Sequence, residues 1–198
     1  MKVTVIIPYK TDRGWLQEAI NSVPQDVQCL VSQGEGNWPE NFNKAYPKAT
    51  GDFIRYLHED DMLTENCVRD SVAAIKYFNA DFIHGNAIEY YQHNGHQVLW
   101  KPQIKTPTLK DMLVRNYIHS ASVMYRREVF EKVGLYDERL NTAEEYEFHL
   151  RCLQAGLKLG YVDSPLAYYR RHPAQKVRVV PVKIKDMERE MVRNKYRV

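Results

Sequence analysis

Ala49-Thr-Gly-Asp-Phe-Ile-Arg-Tyr-Leu57, followed at once by His58-Glu59-Asp60-Asp61, is the stretch on which the reading of the fold turns. Gly51 closes the unit before it. Phe53 to Leu57 is a short, mainly apolar run bounded by turn signals, the pattern of a buried strand. The run ends in a cluster of carboxylates. In open α/β sheets ligands bind beyond the carboxyl ends of strands, so the cluster stands where a site belongs. Adjacent carboxylates repel one another unless a cation neutralises them. Oxygen ligands suit Mg²⁺ or Mn²⁺, which bridge substrate phosphates. A solvated acidic turn capped by Thr64 fits the same letters, so the surrounding chain has to decide.

Upstream, Val3 to Ile7 is β-branched and nearly continuous, which reads as a parallel strand buried on both faces and ended by Pro8. Trp15, Leu16, Ala19, Ile20 and Val23 follow at helical spacing, with Asp12 as N-cap and Pro24 as stop. Val27 to Val31 is a second strand, and Pro39 opens a helix bearing Phe42, Ala45 and Tyr46. Strand, helix, strand, helix, strand is the start of an α/β sheet. Downstream, Thr64 caps a helix reaching Phe78, and Asp81 to Tyr91 is a strand. Asn94-Gly95 turns it into a hairpin with Gln97 to Trp100. Leu109 to Val114 reads as a helix, Ser120 to Tyr125 as a strand, and Glu128 to Val133 as a helix ended by Gly134. The longest amphipathic helix runs from Ala143 to Ala155, with Gly156 after it.

Composition narrows the function classes. With 198 residues, 44% hydrophobic and a net charge of +3, the chain has material for one core and no field demanding a nucleic acid. Cys29, Cys67 and Cys152 are odd in number and widely spaced, which excludes a disulfide framework or metal knuckle and fits a reducing cytosol. Val3 to Ile7 is too short for a signal peptide or membrane span, so a cytoplasmic protein without a transmembrane segment is expected. No GxSxG, P-loop, GxGxxG or zinc-deaminase signature is present. Residues 176–198 change character, with eight Lys and Arg against three acids. They read as a basic peripheral arm, helical at its end, beside a domain of residues 1–175.

Two further clusters bear on chemistry. Glu144-Glu145-Tyr146-Glu147 opens a helix, where acids favour the dipole and Glu147 can pair with Arg151. One of the acids there could equally serve as a general base. Tyr168-Tyr169-Arg170-Arg171-His172 combines cations with a histidine, suited to phosphate, to a metal shell or to an ordinary strand end.

In order and spacing these features resemble the family 2 glycosyltransferases of the GT-A fold, from Val3 to about His172. Val5-Ile-Ile-Pro-Tyr9 is similar to the opening strand and nucleotide-side loop. The stretch from Ala49 to Asp61 resembles the approach to the metal motif. Tyr125 to Asp137 resembles the helix after the acceptor region, Glu144-Glu145 with Arg151 and Gly156 the helix of the catalytic base, and Tyr169-Arg-Arg-His172 the closing motif. The resemblance implies a mixed, mostly parallel Rossmann-like sheet flanked by helices, and inverting transfer from a nucleotide-diphosphate sugar, with UDP-sugars favoured. It implies Mn²⁺ or Mg²⁺ held by Asp61 with Asp60 and His172. Glu145 is then the base, with Glu144 as second choice, and Pro8, Tyr9, Asp12, Gln33, Asp60 and Arg171 lie against the nucleotide sugar. Three departures stand out. Gln33 replaces the family's base-reading acid, His58 its first metal-motif acid, and Glu145 its catalytic Asp.

The acceptor is less legible. A cell-surface or capsular glycan, or a lipid-linked sugar, is the leading class. A phage-type enzyme acting on hydroxymethylated DNA bases in a host cytoplasm is the alternative, and a catalytically inactive GT-A binding module is a third reading. The arm's Lys176, Arg178, Lys183, Lys185, Arg189, Arg193, Lys195 and Arg197 could track DNA phosphates, lie on an anionic membrane surface or merely be solvated. Tyr90, Trp100, Tyr117 and His119 are candidates for stacking on the acceptor, though aromatics also serve cores.

Overall fold

The alternation of side chains along β1 (Val3–Tyr9) sorts the core into two layers. Val3, Val5 and Ile7 face one layer, joined by Phe53, Leu57, Ile83, Met124 and Leu166. Ile6 faces the other, with Ile54, Tyr56, Phe82, Val123 and Tyr125. The computed structural model describes residues 1–197, and in it a single mixed sheet separates these layers. Its other strands are β2 (Gln28–Gln33), β3 (Phe53–Tyr56), β4 (Met62–Leu63), β5 (Phe82–Tyr91), β6 (Gln97–Trp100), β7 (Val123–Arg126) and β8 (Leu159–Arg171). The order is β2-β1-β3-β7-β5-β8-β4, with β6 hairpinned onto β5. The parallel ladders β1–β2, β1–β3 and β5–β8 carry most of the paired residues, and the remaining pairings are antiparallel.

The helices are α1 (Leu16–Asn21), α2 (Trp38–Ala45), α3 (Cys67–Tyr77), α4 (Leu109–Val114), α5 (Arg127–Val133), α6 (Glu144–Gln154), α7 (Lys176–Val179) and α8 (Val182–Tyr196). Ala19 of α1 and Cys67, Ala74 and Ile75 of α3 fill the first layer. The second is filled from α2, α4, α5, α6 and α8. Arg55 of β3 is wholly buried and ties the sheet together, donating to the carbonyls of Val123 (3.0 Å) and Ala121.

Several local expectations are corrected. Pro8 does not end β1, which continues to Tyr9 because Pro8 pairs with Ser32 without needing an N–H there. Thr64 does not cap α3. Its hydroxyl donates to Pro165 O (2.6 Å), while Asn66 holds the cap position. Residues 120–122 are a 3₁₀ turn, and the strand starts at Val123. The longest helix is α8, with 15 residues, rather than α6, with 11. The basic segment is docked: Val192 and Tyr196 are buried against the second layer, and Tyr196 Oη donates to Glu147 of α6 (2.5 Å). Glu188 of α8 accepts from the backbone N–H groups of Asn141 (2.8 Å) and Thr142 (2.5 Å). Among the described residues no helix is long and apolar enough to cross a membrane.

Candidate active site

The carboxyl ends of β1 and β3, the start of α6 and the segment from Ala174 to Arg193 enclose a cleft of about 790 Å³. β3 delivers the acidic cluster to its floor, and the side chains diverge there. Asp60 lines the cleft, and its Oδ2 lies 2.9 Å from Nε2 of the buried His172. Burial pushes the Asp60 pKa up, but the His172 hydrogen bond and the His58 and His172 charges outweigh it, leaving a carboxylate held below its ordinary range. Glu59 also lines the cleft and is paired with Arg13.

Asp61, expected beside an ion, turns inward instead. It is 1% exposed and absent from the lining, and its Oδ1 accepts the Arg170 backbone N–H at 2.9 Å. Its Oδ2 has no partner among the described residues, and burial, followed by the neighbouring Asp60 charge, raises its pKa well above the usual value. Arg170 anchors this end of the sheet. Its guanidinium, 2% exposed, bonds Asp60 O (2.8 Å), Glu18 (2.6 Å) and Gln92, and lies over the Trp15 and Tyr90 rings.

Across the cleft floor, Glu145 sits in the first turn of α6, and His58 Nε2 lies 3.3 Å from its Oε1. The rings of Trp38 and Tyr56 pack edge-on against His58 and fix it there. Burial alone would lower the His58 pKa, but the bond and charge of Glu145, with the charges of Asp60 and Asp61, lift it to about 9. In turn, burial raises the Glu145 pKa, and the His58 bond and charge and the Lys176 charge outweigh it, so Glu145 stays ionised. Glu144 is paired with Lys176 of α7 at 2.5 Å, and burial with the Glu145 charge raises its pKa.

The structure brings together Pro8, Tyr9, Asp60, Arg171, Glu144, Glu145, Trp100 and His119 in the cleft lining, with His172 directly behind Asp60. Besides Asp61 and His172, four expected residues stand outside the lining. Asp12 is exposed and folds back to accept the N–H groups of Gly14 (2.7 Å) and Leu16 (3.3 Å). Gln33 is exposed at the end of β2. Tyr90 is taken up under Arg170, and Tyr117 packs against the core. Lys10, Arg13, Trp38 and Arg115 also line the cleft without having been expected there, and His58, expected only as a departure from the metal motif, is the partner of Glu145. His58 had a signal, since a histidine inside an acidic run is an unusual charge to place there.

Among the described residues no group of three or more His, Cys, Asp or Glu side chains is arranged to hold a metal ion. The cleft instead offers one free carboxylate edge on Asp60, its other oxygen being engaged by His172. That donor set fits an ion such as Mg²⁺, which takes one or two carboxylates and completes its shell with substrate phosphates and water. His172 fits the role of orienting the ligand from behind.

Residues 53–191 match the family model described as glycosyl transferase family group 2. The chain belongs to that family. Among curated members, it is 30% identical to the uncharacterized glycosyltransferase YwdF of Bacillus subtilis, over 55% of this chain and 41% of that protein. It is 23% identical to the succinoglycan biosynthesis protein ExoW of Rhizobium meliloti, over 82% of this chain and 67% of that protein. Among solved structures, residues 1–349 of S. aureus TarS in complex with UDP-GlcNAc superpose with a TM-score of 0.73 at 18% identity, covering 97% of this chain and 65% of that one. This likeness establishes the glycosyltransferase fold expected of the family, of GT-A type. The chain spans under half the length of YwdF and about two thirds of ExoW and of the TarS fragment.

Proposed function

We propose that this chain transfers a sugar from a nucleotide-diphosphate donor to an acceptor hydroxyl, with inversion at the transferred carbon. One observation carries the reading: Asp60 at the end of β3 and Glu145 at the start of α6 face one cleft, with His58 between them. Asp60 belongs to the donor end, where Pro8, Tyr9 and Lys10 supply a cradle for a diphosphate together with Arg13, which is shared with Glu59. A Mg²⁺ or Mn²⁺ ion held by Asp60 and the diphosphate would supply charge neutralisation of the leaving group. Glu145, kept ionised and aimed by His58, takes the proton from the acceptor hydroxyl as it attacks. The base and the leaving group then lie on opposite sides of the sugar carbon, which inverts its configuration. Glu144, engaged by Lys176, is the weaker candidate for the base.

A UDP-sugar is the favoured donor, supported by the TarS complex with UDP-GlcNAc on the same fold. Gln33 lies outside the cleft lining, whereas Gly36 and Trp38 belong to it and are the better placed to meet the base. The acceptor is a glycan hydroxyl. The test is thermal stabilisation by UDP, GDP, CDP and TDP, each with Mn²⁺ and with EDTA. A ligand at a hundredfold its Kd stabilises by about 2.7 kcal/mol, or roughly 5–10 °C for a chain of this size. A Mn²⁺-dependent shift with one nucleotide is expected. A cooperative melt unmoved by all four would overturn the proposal.

A further inference from the structure

The acids of the cleft are engaged from within. Glu59 is paired with Arg13, Asp60 with His172, Glu89 with Arg171, Glu144 with Lys176 and Glu145 with His58. Of the cations that remain, Lys10 stands at the donor end and the others are gathered on α8 and just beyond α4. Lys185, Arg189 and Arg193 recur every four residues along α8, which places them on one face about 6 Å apart in rise, and all three line the cleft. Arg115, just beyond α4, joins them.

Neither Arg115 nor Lys185 has an acidic partner among the described residues; they donate to Gln103 (3.3 Å) and to Val177 O (2.6 Å). Among the described residues the only acids Arg189 and Arg193 meet are Asp186 (3.5 Å) and Glu190 (3.4 Å), whose side chains are 64% and 47% exposed; Arg193 also donates to the neutral Tyr146 Oη (3.4 Å) and Val114 O (3.4 Å). Such solvated pairs are worth little and leave the guanidinium charge available.

These cations are not spread over a loose tail. Glu188 and Tyr196 pin α8 to the segment and helix that carry Glu144 and Glu145, so the charged face is a fixed wall beside the candidate base. The donor end draws its own cations, Lys10 and Arg13, from the segment after β1. A row of aromatic rings also borders the cleft, with His119 between Trp100 (5.0 Å) and Tyr169 (4.8 Å). Such rings present apolar bodies suited to sugar faces.

We propose that Arg115, Lys185, Arg189 and Arg193 form an acceptor subsite for an anionic glycan, a sugar chain bearing phosphate or carboxylate groups. This rests on the glycosyltransferase reading of the same cleft and names the acceptor class within it. A cleft of about 790 Å³ has room for sugar units beside a donor.

The test titrates fluorescent inorganic polyphosphate and polygalacturonate, as phosphate and carboxylate probes, into the full chain. Neutral dextran and duplex DNA are compared, and UDP with Mn²⁺ is assayed separately by thermal shift. At least one acidic polymer should bind, with affinity falling about a hundredfold between roughly 50 and 200 mM salt if four cations are engaged. The Lys185→Ala/Arg189→Ala variant should bind that polymer at least about tenfold more weakly and with about half the salt slope. Its UDP shift should match the unaltered chain's. Polymer affinity unchanged in the variant, dextran bound as well as the polyanions, DNA bound in preference to both, or no polymer bound at all would each overturn the subsite. A missing UDP shift alongside variant-sensitive polymer binding would instead remove the donor reading and leave the cationic subsite standing.

Discussion

Replacing Glu147 with Gln tests whether α8 is held as a wall of the cleft. Glu147 is 1% exposed, and three donors converge on it. Tyr196 Oη (2.5 Å) and Lys195 Nζ (2.7 Å) reach Oε1, and Arg151 Nη2 (2.8 Å) reaches Oε2. Gln keeps the shape, loses the charge and turns an amide N–H₂ toward a donor. Lys195 is half in water, 51% exposed, so its pair contributes under about 1 kcal/mol. Arg151 keeps its bond to Val133 O (2.6 Å) and loses about 1 kcal/mol. The buried Tyr196 hydroxyl exchanges a charged acceptor for a neutral one, about 1 kcal/mol more. The sum is about 2–3 kcal/mol, or roughly 5–10 °C in melting temperature.

The pH dependence gives a second check on the same variant. Burial raises the Glu147 pKa, but the Lys195 and Tyr196 hydrogen bonds and the Arg151 charge and bond outweigh it, so the folded value lies below the ordinary one. Stability from such a group is present above its unfolded pKa of about 4.3 and is lost as pH falls through the folded value. Calorimetric melts should therefore show the full gap between Glu147→Gln and the unaltered chain at pH 7, closing below about pH 4. Equal melting at neutral pH, or a gap that persists unchanged in acid, would refute the anchoring of α8 through Glu147.

Glu145→Gln should lower donor turnover, measured as nucleoside diphosphate released from the sugar nucleotide, by about 10²–10⁴-fold. The nucleotide-induced thermal shift should survive, and undiminished turnover would remove Glu145 as the base. Asp60→Asn should abolish the Mn²⁺-dependent part of that shift, whereas Asp61→Asn should keep it. Because the Asp61 pKa is raised in the folded chain, ionisation opposes folding above the unfolded value. Asp61→Asn should thus melt no lower than the unaltered chain at pH 7, and equal loss of the shift in both variants would contradict the division of roles. At Gly51 a Cβ would sit 2.5 Å from Thr4 N, 2.7 Å from Val3 C and 2.8 Å from Phe53 O, all backbone atoms. Gly51→Ala should cost upwards of about 2 kcal/mol in chemical denaturation, and an unchanged midpoint would show that β1 and β3 can part there.

What the sequence made legible was local. The run from Val3, the Phe53 strand and the Asn94-Gly95 hairpin declare themselves within a few residues, and each forms close to where its pattern places it. Which acid of the cluster faces the cleft was not legible, because the strand pattern ends before Asp60 and Asp61. Their directions are set by Arg170 and His172, more than a hundred positions away. The docking of α8 was hidden for a related reason. Only Val192 and Tyr196 of its apolar residues point inward, while Ile184, Met187 and Met191 remain exposed, so no core stripe can be read from the helix alone. The buried acceptor that secures Tyr196 lies on another helix, at Glu147.

β8 carries a consequence for how the molecule comes into being. Its end supplies the N–H that turns Asp61 inward, and the histidine just beyond it grips Asp60, although both acids follow the third strand of the chain. A nascent polypeptide can pair β1, β2 and β3 early, since these are close in sequence. It cannot give the acidic cluster its final arrangement until residues 159–172 have emerged and closed a long loop against β5, the costly, slow kind of contact in folding. The final arrangement of the acidic cluster is therefore coupled to completion of the sheet, and a chain still being made carries its carboxylates as an unsorted, mutually repelling group.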